Sequence, residues 1–401
     1  MTRQEGFSVL EVAVAMALLA VVLAQVFALL DPGAGALARQ AASIDMQQRL
    51  RVAADALYKD LSMSGAGVYQ GAAAAPLGSL LAAVLPYRHA SSADDPPGSF
   101  SRDRITVMYV PTTVAQATLA TPGPGAGTGN VDIAPGPGCP VGDPACGFRV
   151  GMTVLVYDAS GVYDTFAVDA VHGGTLTLRS TERRVALAAY QPHRSTITEF
   201  TNAVYYVKHD PVAQADQLMR AGGAGEADVP VVDHVVGVRF DYYGDPQPPT
   251  LTGVPLADAA GPWTTYGPPP PEAGQQIPTG GYPAGENCTF ARDPVMGTPV
   301  PRLPVLGAGG LVPLAAAQLD GSDGGPWCPD AVADNRWDAD LLRVRTVEVT
   351  LRIESANAAL RGPASVLFAH GGTSRGGNRW LPDQEMRFQV APRNLRFGGL
   401  P

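Results

Sequence analysis

From Phe7 to Leu30 the chain is apolar except at Ser8, Glu11 and Gln25, and no other feature narrows the possible folds as much. As a helix this run covers about 36 Å, enough to cross a hydrocarbon core about 30 Å thick. Three structures suit it: a plain transmembrane anchor, a secretory signal peptide cut near Ala34-Gly35-Ala36, or an anchor that ends as the packed core of a filament. The signal-peptide reading fits poorly, because a secretory apolar region has about 7–15 residues and the only basic residue ahead of the run, Arg3, is offset by Glu5. Glu11 separates the other two readings. A carboxylate in hydrocarbon costs a few kcal/mol or takes up a proton, and a plain anchor gains nothing from it. An ionisable group at that depth implies a function and a partner of opposite charge.

The stretch E-G-F-S-V-L-E, Glu5–Glu11, resembles the type IV prepilin signature: a glycine, an apolar residue, and a glutamate at the fifth position after the cut. Here those are Gly6, Phe7 and Glu11. The resemblance implies cleavage after Gly6 by a membrane prepilin peptidase on the cytoplasmic side, followed by N-methylation of Phe7. It implies a leader at residues 1–6, a transmembrane helix at 7–30, and an inner-membrane protein with an extracytoplasmic head. It also gives Glu11 a partner. Cleavage creates an α-amino group at Phe7, and in an assembling filament that amine on one subunit meets the carboxylate of another. Such a pair in a low-dielectric core is strongly attractive, and either half alone is costly.

Asp31-Pro32-Gly33 interrupts the apolar run, and a kink or melted turn is expected there. Helical spacing resumes over 31–67. Leu50, Ala53, Ala54, Leu57 and Leu61 form one face, Leu37 and Ile44 extend it backwards, and Ser64-Gly65-Ala66-Gly67 ends the helix. QQRLRVAADALYKDLSMSGAG resembles the matching stretch of PilW-type minor pilins and J-type pseudopilins.

The remainder, 68–401, reads as a β-rich head. Residues 68–103 read as loop, with an apolar patch at 77–85. Strands are expected at Arg104–Val110, Thr153–Tyr157, Tyr163–Val171, Thr175–Arg179, Thr201–Lys208, Gln217–Arg220, Val235–Tyr243, Leu341–Ser355 and Glu385–Ala391. A slip in alternation near Arg343–Arg345 predicts a bulge or an edge, and a Pro/Gly/Thr-rich loop is expected from 111 to about 138. The segment Phe148–Ser180 resembles a small β-module of PilW-type proteins, and Arg393-Asn394 resembles the pair that closes their last strand. Residues 245–340, with Pro268–Pro271 and many Gly and Ala, read as a long surface excursion. The fold class is α+β: a long N-terminal helix packed on a mostly antiparallel sheet with β-rich inserts, pilin-like.

The four cysteines, Cys139, Cys146, Cys288 and Cys328, have neither CxxC spacing nor nearby histidines, so they do not read as a zinc site. In an exported chain they read as two disulfides. Cys139–Cys146 with Cys288–Cys328 is the most local of the three connectivities, and spacing alone does not choose among them. A net charge of -9 disfavours nucleic acid. The six histidines follow no HExxH or HxH pattern, and the glycines of GPGAGTG lack the lysine of a phosphate cradle. Asp94-Asp95 and Asp320/Asp323 read as solvated loop carboxylates, with calcium the alternative if loops converge. No catalytic constellation, metal site or cofactor is expected. The resemblance implies a minor pilin helping to prime or cap a type IV pilus, with other minor pilins, the major pilin and prepilin peptidase as partners. The alternatives are a J-type pseudopilin of a type II secretion system and a tip adhesin acting through 245–340.

Overall fold

The computed structural model describes residues 8–67, 81–88, 103–123, 128–158, 163–180, 190–222, 228–247, 290–301, 305–314, 327–329, 336–361 and 381–395. One helix, α1 (Val9–Met63), runs for 55 residues without a break, about 80 Å in length. The interruption expected at Asp31-Pro32-Gly33 is absent. Proline removes one bond from the helical ladder, and the long helix on each side carries the turn.

Met46, Leu50, Ala53, Leu57 and Leu61 are all buried along one side of α1. Leu37 and Ile44, expected to extend this stripe, are 68% and 48% exposed. At about 100° per residue Ile44 lies about 200° round from Met46, on the far side of the helix. Met46 heads the stripe instead.

The strands follow in chain order: β1 (Val84–Arg88), β2 (Asp103–Tyr109), β3 (Gln116–Leu119), β4 (Thr128–Pro135), β5 (Thr153–Asp158), β6 (Tyr163–His172), β7 (Thr175–Ser180), β8 (Ser195–Glu199), β9 (Thr201–Asp210) and β10 (Ala215–Ala221). Then come β11 (Val229–Asp233), β12 (Val235–Gly244), β13 (Phe290–Arg292), β14 (Pro299–Pro301), β15 (Val312–Leu314), β16 (Trp327–Pro329), β17 (Arg336–Asp338), β18 (Val344–Ile353) and β19 (Gln384–Val390). One sheet has the order β1-β2-β9-β10-β11 and a second the order β15-β12-β18-β19. Every pair in both is antiparallel. The inner faces of the two sheets and the stripe of α1 share one core, including Ile105, Val107 and Leu218 from the first sheet and Val238, Phe240 and Val349 from the second. This is the expected α+β head.

The remaining large element is a closed barrel of order β3-β4-β7-β6-β5-β8. Its core, including Leu119, Val131, Val154, Phe166, Leu178 and Ile197, is separate from that of the head. The barrel is inserted between two neighbouring strands. Tyr109 of β2 pairs with Thr201 of β9, so the chain leaves the head and returns to it at adjacent points. A small cluster of Leu81, Met108, Leu155 and Phe200 joins barrel to head.

This junction sits at the C-terminal end of α1. The Val110 N–H donates to the Ala66 carbonyl at 2.8 Å and the Gly65 N–H to that of Met108 at 2.9 Å. Gly67, with φ 72°, could not carry a side chain here, because a Cβ would stand 2.6 Å from the Val110 carbonyl oxygen.

The three strands expected over 153–179 are β5, β6 and β7. The loop expected up to Gly138 instead contains β3 and β4. Their burial alternates, at Ala117 and Leu119 and at Val131 and Ile133, but two apolar residues in each are too few to mark a strand among Thr, Gly and Pro, and pairing on both sides by barrel closure completes them. β1, in the stretch read as loop, is an edge strand held by its ladder with β2.

The expected bulge is present: Tyr243 pairs with Thr346 and Gly244 with Val344, so the ladder skips Arg345. Leu341–Arg343, expected as strand, belongs instead to the 3-10 turn Ala339–Arg343. The excursion is not wholly peripheral either. β15 pairs with β12, and Leu314 is buried in the main core. Residues 248–289, which carry most of its Pro/Gly-rich texture, lie outside the described residues.

Candidate functional site: the N-terminal helix and its anchorage

Ser8 caps α1. The Glu11 N–H donates to Ser8 Oγ at 3.2 Å, and the Ser8 N–H donates to Glu11 Oε2 at 2.9 Å. This reciprocal capping box satisfies two of the amides left open at a helix start. It also folds the Glu11 carboxylate back over the first turn, toward the residue that precedes Ser8. Gly6 and Phe7 themselves lie outside the described residues. From Val9 to Phe27 the helix has a mean hydropathy of 2.5, none of it is buried within the chain, and its length and composition suit a membrane span. Nothing else in the described chain covers this surface.

At the other end of α1 a carboxylate breaks the buried stripe. Asp60, between Leu57 and Leu61, is 3% exposed. Its Oδ1 accepts from Tyr109 Oη at 3.1 Å, and its Oδ2 accepts from Tyr205 Oη at 2.7 Å and from Arg220 Nε at 2.7 Å. Tyr205 also donates to the Ala56 carbonyl at 3.0 Å. One helix side chain thus ties α1 to β2, β9 and β10. Sequence reasoning missed this group, though one signal was available: an acid three residues after Leu57 falls on the apolar face.

Burial first, then the Asp60 carboxylate, pushes the Tyr205 phenol well above its ordinary range. Burial alone would lower Arg220, but the hydrogen bond and charge of Asp60 override it and raise the guanidinium. The tyrosine shift has a pH consequence. A group raised in the folded state contributes fully below its unfolded value, about 10. Above that the unfolded chain loses a proton the folded chain keeps, so stability falls as pH rises. Stability should decline above about pH 10 by about 1.4 kcal/mol per pH unit on account of Tyr205. Denaturant midpoints across that range should show a shallower slope in Tyr205→Phe; an identical slope would refute the assignment.

Of the disulfide candidates, Cys139 and Cys146 are bonded, with Cα atoms 4.7 Å apart. Cys288 lies outside the described residues, as does the side chain of Cys328 on β16. Asp94, Asp95, Asp320, Asp323, His89 and His370 also lie outside them. Among the described residues no cluster of three or more His, Cys, Asp or Glu could hold a metal. His209 faces Asp216, and His234 sits beside Arg361.

The family model described as the prokaryotic N-terminal methylation motif matches residues 1–24. No curated protein and no solved structure gives a match. The motif and the long apolar helix support a type IV pilin-like protein processed by prepilin peptidase, and they point to a structural subunit that assembles with other pilins.

Proposed function

We propose that this chain is a PilW-like minor pilin acting in the tip or priming complex of a type IV pilus. The observation that carries this reading is Glu11 itself, a carboxylate inside the methylation motif and near the start of an apolar helix that nothing in the described chain covers. Removal of residues 1–6 would create a new α-amine at Phe7, the residue that precedes the Ser8 cap of that helix. On insertion, Glu11 of one subunit and the amine of another would neutralise each other within hydrocarbon, and a subunit out of register would leave both unpaired.

The tip assignment draws on the barrel. It joins the head at the end of α1 opposite the membrane span, where a subunit in the next layer of a filament would have to stack. A terminal position has no such layer. A J-type pseudopilin would use the same N-terminal apparatus; the size of the chain and its β-module favour the pilus. For the adhesin alternative, deletion of 245–340 is a poor test because it would remove Leu314 from the core. Deletion of 248–289 alone is the cleaner one.

Glu11→Ala should still be cleaved after Gly6 but should reach sheared filaments at a level at least about tenfold below wild type, the equivalent of only about 1.4 kcal/mol of pairing. Mass spectrometry of the N-terminal peptide should find N-methylated Phe7 in both proteins. Normal incorporation of Glu11→Ala would refute the pairing, and an uncut Met1 would refute the processing.

A further inference from the structure

The chain passes from the first sheet to the second through a single residue. β11 ends at Asp233, β12 begins at Val235, and His234 between them is left-handed, with φ 59°. A non-glycine residue in that region is held there by its surroundings. The His234 carbonyl accepts from the Glu354 N–H at 3.0 Å, and its side chain is 13% exposed. Charges from several parts of the fold surround the ring. Asp233 Oδ2 at the end of β11 is 3.9 Å from Nε2, and Glu354 Oε1, just past β18, is 3.9 Å from Nδ1. Arg361, after the turn Ala358–Leu360, brings Nη2 to 3.1 Å from Nδ1. From α1, Arg49 bonds to Asp233 Oδ1 and to Asp45.

A guanidinium only donates, so Nδ1 is the acceptor of the bond from Arg361 and bears no proton. A second proton on the ring would end that bond, because two N–H donors would then face each other across 3.1 Å. An acceptor with capacity to spare stands beside them. Glu354 Oε1 takes Arg361 Nη1 at 2.9 Å, whereas Glu354 Oε2 is buried with no partner among the described residues, and an unfilled buried acceptor costs free energy. The surroundings also suit an added positive charge, since the carboxylates of Asp45, Asp233 and Glu354 outnumber the guanidiniums of Arg49 and Arg361. Arg361 in turn holds the short turn before it. Its Nε donates to the Ser355 carbonyl at 2.6 Å, and the Leu360 and Arg361 N–H groups close the turn on the Asn357 and Ala358 carbonyls.

We infer that His234 is a proton-operated switch at the corner between the two sheets: neutral, it accepts from Arg361; protonated, it donates to Glu354 and sets Arg361 loose from the ring. The test is hydrogen exchange of the full chain in detergent at about pH 7.5 and about pH 5.5, the range in which imidazoles titrate, with the known change of chemical exchange rate divided out. Peptides covering 355–361 should exchange about fivefold faster at the lower pH, as the loss of one hydrogen bond from the turn implies. His234→Asn is the control. Asparagine tolerates the left-handed backbone and does not titrate, and the other histidines stay in place, so its corrected exchange should be the same at both pH values. Nitrogen NMR of histidine-labelled chain, with the His234 signal assigned by its loss in that variant, should show Nδ1 unprotonated at the higher pH. Equal corrected exchange in the wild type, a pH response that persists in His234→Asn, or a proton on Nδ1 at the higher pH would each overturn the switch.

Discussion

Asp60→Ala should destabilise the head by about 2–3 kcal/mol, the range for losing hydrogen bonds to a buried charge when its partner, Arg220, is about a third exposed and can turn to water. The substitution takes the carboxylate from Arg220 and from the Tyr109 and Tyr205 hydroxyls, leaving Tyr205 the Ala56 carbonyl. With total stabilities of about 5–15 kcal/mol, that is a large share. Guanidinium unfolding of the full chain in detergent measures it. Asp60→Ala and Arg220→Ala together should cost clearly less than the sum of the two singles, because each already breaks the same contact. Additive costs would mean that the network does not act as a unit. On the pilin reading the effect should reach assembly as well, since α1 carries the apolar segment with membrane-type length and composition and Asp60 joins it to three strands of one sheet.

Replacing residues 110–200 with Asn-Gly should leave a folded head. The ladder pair Tyr109–Thr201 would then be closed by a two-residue turn that suits a twisted hairpin. The cost should be modest, about 3 kcal/mol, mainly the contacts of Leu81 and Met108 with Leu155 and Phe200. Conversely, residues 111–199 should fold alone, because the barrel has a separate core, a closed hydrogen-bond cycle and its own disulfide. Reducing Cys139–Cys146 should destabilise the isolated barrel by about 2–3 kcal/mol and leave the shortened head unchanged. Circular dichroism and denaturant unfolding of the two pieces decide the matter, and a shortened head that fails to fold would show that the barrel is part of the head's core.

The helix, the strands around Val107, Val168, Val238 and Val349, and the bulge at Arg345 could all be read from the chain, because periodic burial leaves a periodic pattern. So could Glu11, whose oddity is local: one charge in an apolar run. The strands β1, β3, β4 and β8 could not. β1, β3 and β8 are short and β4 buries only Val131 and Ile133; what holds each is a neighbour distant in sequence, such as Ser195–Glu199 beside Gln116–Leu119. Leu37 and Ile44 are a different case: each lies about 160–180° round the helix from Met46, so angle, and not apolar character, keeps them off the buried stripe.

Local order alone therefore settled the membrane-type helix, the acid near its start and the general α+β class, since these depend on residues only a few positions apart. Tertiary structure alone decided that 111–199 closes into a barrel between two paired strands, and that Asp60 reaches Tyr109, Tyr205 and Arg220. Both depend on groups 49 to 160 positions apart or on ring closure, and no local spacing encodes which distant partner completes a buried charge or an open sheet edge.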